Sequence, residues 1–196
     1  MFIKNWKKEI LTIPNLLSFF RLILIPVYMV IYIKADETRD YIIAGSILAV
    51  SCLTDMVDGK IARKYNLVSD FGKLMDPLAD KVLVTAALVC FVADPAALTP
   101  SWVVIVILAR EFLVTSLRLL AAAKGVVLAA DKWGKYKTAT TMIWICWNLL
   151  VMEFTFVLGW ADFISWIHPI LMYLSLFFTV YSGMNYVLKN KHMFQN

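Results

Sequence analysis

Imidazole and thiol are scarce in this chain, which has two histidines and three cysteines among 196 residues. His168 and His192 stand far apart, so they make no ligand cluster. Cys52, Cys90 and Cys146 each sit inside an apolar run, with neither disulfide nor zinc spacing. They read as small core hydrophobes. Charge is missing over long stretches. Val82 to Ala93 has none, Thr138 to Met152 has none, and Phe163 to Leu188 holds only His168 as a titratable base. Charged residues are 17% of the chain, against about 25% in a typical soluble domain. These absences exclude a zinc fold, a disulfide scaffold and an ordinary soluble globule. No internal repeat and no low-complexity segment is visible.

What fills the chain instead is apolar bulk, 61% of all residues. A helix needs roughly 20 mostly apolar residues to cross about 30 Å of hydrocarbon. Runs over residues 14–33, 41–62, 74–93, 101–123, 137–159 and 163–188 meet that length. The expectation is an all-α polytopic membrane protein with six transmembrane helices in one domain, residues 13–190. Ahead of it, residues 1–12 mix Phe2, Ile3, Trp6, Ile10 and Leu11 with Lys4, Lys7 and Lys8. That pattern predicts a short amphipathic helix on the membrane surface, its lysines facing anionic lipid. Arg21 lies inside the first run and no small-residue cleavage site follows, so the run reads as a retained span and not a signal peptide.

Lysine and arginine in the connections set the direction. They gather at Lys4, Lys7 and Lys8, at Arg63, Lys64 and Lys73, at Lys124, Lys132 and Lys135, and at Lys189 and Lys191. The opposite connections carry only Lys34 and Arg39, beside Asp36, Glu37, Asp40, Asp94 and Asp162. With six spans every basic segment falls on one side. Both termini are therefore expected in the cytoplasm.

Against this background residues 55–80 read DMVDGKIARKYNLVSDFGKLMDPLAD. Asp55 and Asp58 are three apart on the end of the second run, and Asp76 and Asp80 four apart on the start of the third. Each spacing places its pair on one helix face. Carboxylates at membrane depth are expensive and mark function. Four together repel unless cations neutralise them. Oxygen ligands without His or Cys favour Mg²⁺, Mn²⁺ or Ca²⁺ over zinc. Four carboxylates neutralise two divalent ions, the charge of a two-metal site. Gly59 and Ala62 leave room for a ligand near the backbone, and Arg63 adds a cation suited to phosphate. Gly72 and Pro77 shape the start of the third run, with Pro77 expected in its first helical turn. The alternative is a polar loop whose acids pair with Lys60, Arg63, Lys64, Lys73 and Lys81.

The pattern Asp55-x2-Asp58-Gly59-x2-Ala62-Arg63-x8-Gly72-x3-Asp76-x3-Asp80 resembles, position for position, the signature of the CDP-alcohol phosphotransferase family. That resemblance implies a six-helix membrane core. It implies transfer of a phosphatidyl or similar group from a CDP-linked donor to an alcohol, with release of CMP. It implies two divalent cations, Mg²⁺ or Mn²⁺, held by Asp55, Asp58, Asp76 and Asp80, with Asp80 also the general base. Gly59, Ala62, Arg63, Ser69 and Gly72 then correspond to nucleotide contacts. Asn15 and Arg21, in and after Pro14-Asn15-Leu16-Leu17-Ser18, resemble the family's N-terminal element near the donor. A homodimer is a further implication of the resemblance.

The later runs carry charges that a metal site does not need. Arg110 and Glu111 interrupt the fourth, Arg118 follows Arg110 by two turns, and Lys135 and Lys137 open the fifth. Arg110, Arg118, Lys135 and Lys137 are expected to gather around an anionic acceptor. The alternative for each is snorkelling or pairing with Glu111. The Arg110-Glu111 pair, the stretch Gly134-Lys135-x-Lys137-Thr138 and the phrase Asp76-Pro77-Leu78-Ala79-Asp80-Lys81 resemble the bacterial branch of the family. That branch joins CDP-diacylglycerol to sn-glycerol 3-phosphate at the plasma membrane. Two other readings stay within the family, a phosphatidylglycerol acceptor as in cardiolipin synthases or a phosphorylated inositol. A divalent-cation transporter is a reading outside it. It is disfavoured because the acids crowd one membrane face.

Overall fold

A computed structural model describes residues 12–64, 70–126, 128, 131–158 and 161–191, without the side chains of 13–14, 55–64, 70–71, 73–74, 96, 151–158 and 161–165. The described residues form six helices and no strand: α1 (Ile13–Ile33), α2 (Thr38–Lys64), α3 (Asp70–Ala93), α4 (Ser101–Ala123), α5 (Lys132–Leu158) and α6 (Ala161–Lys189), with a 3-10 turn at Pro95–Ala97. Every expected apolar run lies on one of them. The helices also extend past the runs into polar sequence, α5 by one further turn at Lys132. A hydrogen-bonded helix does not stop where hydrophobicity stops. It stops where a cap is available.

Among the described residues two helices, over Asn15–Ile33 and Trp166–Lys189, are long and apolar enough to cross a membrane. The other four helices also contain acidic or basic residues, with charge-free stretches at 41–54 in α2, 82–93 in α3 and 138–152 in α5. The interfacial segment expected at residues 1–12 lies outside the described residues except for Thr12, which caps α1 ahead of Pro14. A proline in the first turn lacks only an N–H that the helix would leave unused.

The chain divides into two compact units, residues 1–93 and 94–196. In the first, α1 packs against both α2 and α3. Its core is aromatic. Tyr28, Tyr32 and Phe91 are almost wholly buried, and Tyr32 touches Tyr28, Tyr41 and Phe91 at ring distances of 5.5–5.8 Å. Ala79, Ala86 and Ala87 are buried on α3, where small side chains let helices approach closely. Outward, α1 shows Leu16, Phe20, Ile23, Val27 and Val30, while Asn15, Ser18 and Arg21 are buried. Polar residues inside and apolar residues outside invert the soluble pattern.

In the second unit α6 packs against both α4 and α5. Hydroxyls line the α5–α6 seam, with Thr141 and Ser175 2.7 Å apart and Thr179 bonded back to the Ser175 carbonyl. The outward side of α6 is apolar, with Trp166, Ile170, Phe177, Met184 and Leu188 exposed. Helix α4 ends by glycine geometry. Gly125 has φ of 72°, Val126 N–H donates to the Ala121 carbonyl and Gly125 N–H to that of Ala122. This is the αL termination that a Lys-Gly pair after a helical run signals.

One expectation about shape is corrected. Pro77 is not in the first turn, because α3 starts earlier, at Asp70, and Pro77 falls inside the helix. A proline there removes the N–H that would meet the carbonyl of Lys73 and loosens the ladder beside Asp76.

Candidate active site

The acidic residues belong to the first unit. Helix α2 carries Asp55 and Asp58 on its C-terminal stretch, and α3 carries Asp76 and Asp80 one turn apart. The side chains of Asp55, Asp58, Gly59, Ala62 and Arg63, and the whole of Ser69, lie outside what the structure describes. Among the described residues no three His, Cys, Asp or Glu side chains form a metal-holding group.

Asp76 and Asp80 differ in setting. Asp76 is half-buried, and its Oδ1 accepts a 2.6 Å hydrogen bond from the Ser18 hydroxyl of α1. Ser18 is wholly buried, so the bond fixes that carboxylate against the helix behind it. A neutral donor orients a carboxylate without cancelling its charge. Asp80 is exposed. Gly72 is buried near the start of α3.

Asn15, Ser18 and Arg21 follow one another at three-residue steps on α1, and all three are buried. Arg21 has no exposed surface, so protein groups and not water surround its charge. Sequence reasoning singled out Asn15 and Arg21 but gave Ser18 no role. The three-residue step was the signal that could have found it.

The donor chemistry here suits hard divalent cations. The carboxylates supply oxygen only, and the hydroxyl on Asp76 leaves its second oxygen for a ligand.

The basic residues belong to the second unit, and the structure sorts them. Arg110 and Lys137 meet on one atom. Glu111 Oε1 accepts from Arg110 Nη1 at 2.9 Å and from Lys137 Nζ at 2.8 Å. Lys137 is only 4% exposed and the Arg110 side chain 13%. Arg110 Nε is buried and has no hydrogen-bond partner among the described residues. Arg118 is elsewhere on α4. Its Nε donates to the Tyr186 hydroxyl at 3.3 Å, and its guanidinium lies 5.6 Å from that ring's centre. Lys135 is exposed at the start of α5.

Two glycines lie against Arg110, and Gly183 makes room for it. A Cβ at Gly183 would stand 3.0 Å from its Cγ, and one at Gly134 would stand 3.6 Å from its Nη2. Beside it a groove of about 400 Å³ runs along α4 and α6, lined by Ala109, Leu113, Val180 and Met184. The loop before α5 is tied to α6 through Asp131. Its carboxylate accepts from Asn185 Nδ2 and, at 3.2 Å, from Lys189 Nζ. Pairing with Glu111 was the alternative that the sequence offered for these cations, and it is realised for Arg110 and Lys137; Asp131 and Gly183 had not entered that reading.

The sequence profile of the family described as CDP-alcohol phosphatidyltransferase matches residues 11–181. A Bacillus subtilis (strain 168) protein named CDP-diacylglycerol–glycerol-3-phosphate 3-phosphatidyltransferase is 42% identical over 192 residues, covering 91% of this chain and 94% of its own. Proteins of the same name from Rickettsia felis and Mycoplasma pneumoniae are 31% and 32% identical, covering 93% and 78% of this chain and 97% and 73% of their own. With the family's aspartate pattern on α2 and α3 and its profile along most of the length, the chain belongs to the CDP-alcohol phosphatidyltransferase family and is an enzyme of that class.

Proposed function

We propose that this enzyme transfers the phosphatidyl group of CDP-diacylglycerol to sn-glycerol 3-phosphate, giving phosphatidylglycerophosphate and CMP. The observation that carries the choice of acceptor is the buried pair Arg110 and Lys137 on Glu111, with Arg110 Nε buried and without a hydrogen-bond partner among the described residues. Burying two cations around one carboxylate leaves a net positive site. A buried guanidinium N–H without a partner costs on the order of 1–3 kcal/mol. An anionic group of the acceptor relieves both. The names of the similar proteins agree with this acceptor.

In this reading Asp55, Asp58, Asp76 and Asp80 hold two divalent cations, Mg²⁺ or Mn²⁺. Such ions, when bound, stabilise negative charge on a pyrophosphate and on the departing CMP. Ser18 keeps Asp76 turned towards its ligand. Gly59, Ala62, Arg63, Ser69 and Gly72 line the nucleotide, and Asn15 and Arg21 stand on the donor side. Arg110 and Lys137 grip the acceptor phosphate, and Arg118 and Lys135 add positive potential near it. Asp80 takes the proton of the acceptor hydroxyl. That oxygen bonds to the diacylglycerol phosphorus, the bond from this phosphorus to the CMP oxygen breaks, and CMP leaves.

The membrane setting follows the same logic, because the donor is a lipid. All six helices then span, both termini and the aspartates face the cytoplasm of a bacterial cell, and the chain works as a homodimer. The exposed apolar stripes of α1 and α6 support the spanning of those two. The test is CMP release by purified protein with CDP-diacylglycerol and one acceptor at a time. Release with sn-glycerol 3-phosphate is expected. Release only with phosphatidylglycerol, or only with a phosphorylated inositol, would replace the acceptor in this reading.

A further inference from the structure

We infer that Glu111 is a positioning residue for the acceptor. Its Oε1 sets the spacing of the two cations that grip the phosphate. The inference rests on the acceptor site proposed above and deepens it.

A carboxylate in an anion site looks misplaced, since it repels the ligand. Its geometry explains it. Arg110 is on α4 and Lys137 on α5, so nothing in the backbone of either helix fixes their head groups relative to each other. Both reach Glu111 Oε1, at 2.9 and 2.8 Å. Two nitrogens bonded to one oxygen are closer together than those two distances combined. That separation suits two oxygens of a single phosphate. Without the carboxylate, two buried cations repel, and Lys137 has almost no water to turn to.

Glu111 also uses only part of what the Arg110 guanidinium offers. It occupies Nη1 of Arg110, and Nε remains buried without a hydrogen-bond partner among the described residues. Around the guanidinium stem the space is preset by Gly183, whose missing Cβ would press on Cγ at 3.0 Å. The side chain is thus held at its tip by Glu111 and along its stem by α6. Preorganised donors bind an anion without reorganising when it arrives.

The test is steady-state kinetics in four single variants and one double variant, with thermal unfolding of each as a folding control. Glu111→Gln keeps the size and removes the charge. Glu111→Asp keeps the charge and draws the oxygen back by one methylene. Both are expected to raise the KM for sn-glycerol 3-phosphate about tenfold, the effect of about one charge-assisted hydrogen bond. The KM for CDP-diacylglycerol should stay within about twofold. Simple charge removal predicts the opposite for Glu111→Gln, tighter acceptor binding. An unchanged or lowered acceptor KM in Glu111→Gln overturns the inference, and so does a wild-type KM in Glu111→Asp.

Arg110→Ala and Lys137→Met separate this inference from the reading beneath it. If neither changes the acceptor KM, the acceptor site itself is wrong. If both raise it and the Glu111 variants do not, only the role of Glu111 fails. The double variant Glu111→Gln with Lys137→Met should be no worse than Lys137→Met alone, because the residues act as one unit. Multiplying effects would count against the inference.

Discussion

The two units handle charge in opposite ways. In residues 1–93 the carboxylate of Asp76 is fixed by the neutral hydroxyl of Ser18. In residues 94–196 two cations are fixed by an opposite charge, Glu111, and buried. On the proposed function, the difference follows from the partner each site would hold. A resident divalent cation needs carboxylates at full charge, so a neutral hydroxyl orients them. A substrate phosphate comes and goes, so its cations must be stable in the empty site. An internal carboxylate provides that.

Three substitutions probe this contrast, in falling order of effect. Asp80→Asn removes the base and should lower turnover by about 10²–10⁴-fold. Donor binding should persist, and CMP-release rates beside CDP-diacylglycerol binding check both. A near-normal rate would take the base role away from Asp80. Ser18→Ala leaves Asp76 charged but unanchored. Its apparent affinity for Mn²⁺, measured by direct titration of the purified protein, should fall about tenfold, the lower end for lost outer-shell partners. The acceptor KM should not move. Gly183→Ala presses a methyl on the Arg110 stem, which must give by a few tenths of an ångström. A few-fold rise in acceptor KM is expected with little change in thermal stability. A larger effect on the donor would place Arg110 outside the acceptor site.

The same contrast shows which features can be read from sequence. The acids are close together in the chain, at fixed steps on two consecutive helices, so spacing alone announces them. The helices were legible for a related reason, since long apolar runs interrupted by charge mark where each one lies. Their ends were not. Pro77 was expected in a first turn, but α3 begins at Asp70 because polar residues continue a helix as well as apolar ones do. The basic site is assembled across three helices, so sequence named its cations and Glu111 as a partner for them, but not which cations meet on it. Arg118 lies two turns from Arg110 on the same helix, yet it stacks near Tyr186 and takes no part in the Glu111 pair. The bond of Ser18 and the second contact of Glu111 escaped because each reaches a neighbour distant in sequence. Ser18 is 58 positions from Asp76, and Glu111 is 26 from Lys137.

The division of labour is tested most directly by two substitutions measured on two axes. Acceptor KM and the Mg²⁺ concentration for half-maximal rate are determined for Arg110→Ala and for Asp76→Asn. Arg110→Ala should raise the acceptor KM by tens of fold, in line with about 2 kcal/mol for a charged hydrogen bond, and leave the Mg²⁺ requirement unchanged. Asp76→Asn should raise the Mg²⁺ requirement and leave the acceptor KM unchanged. If either variant moves both axes alike, the two units do not divide donor and acceptor in the way described.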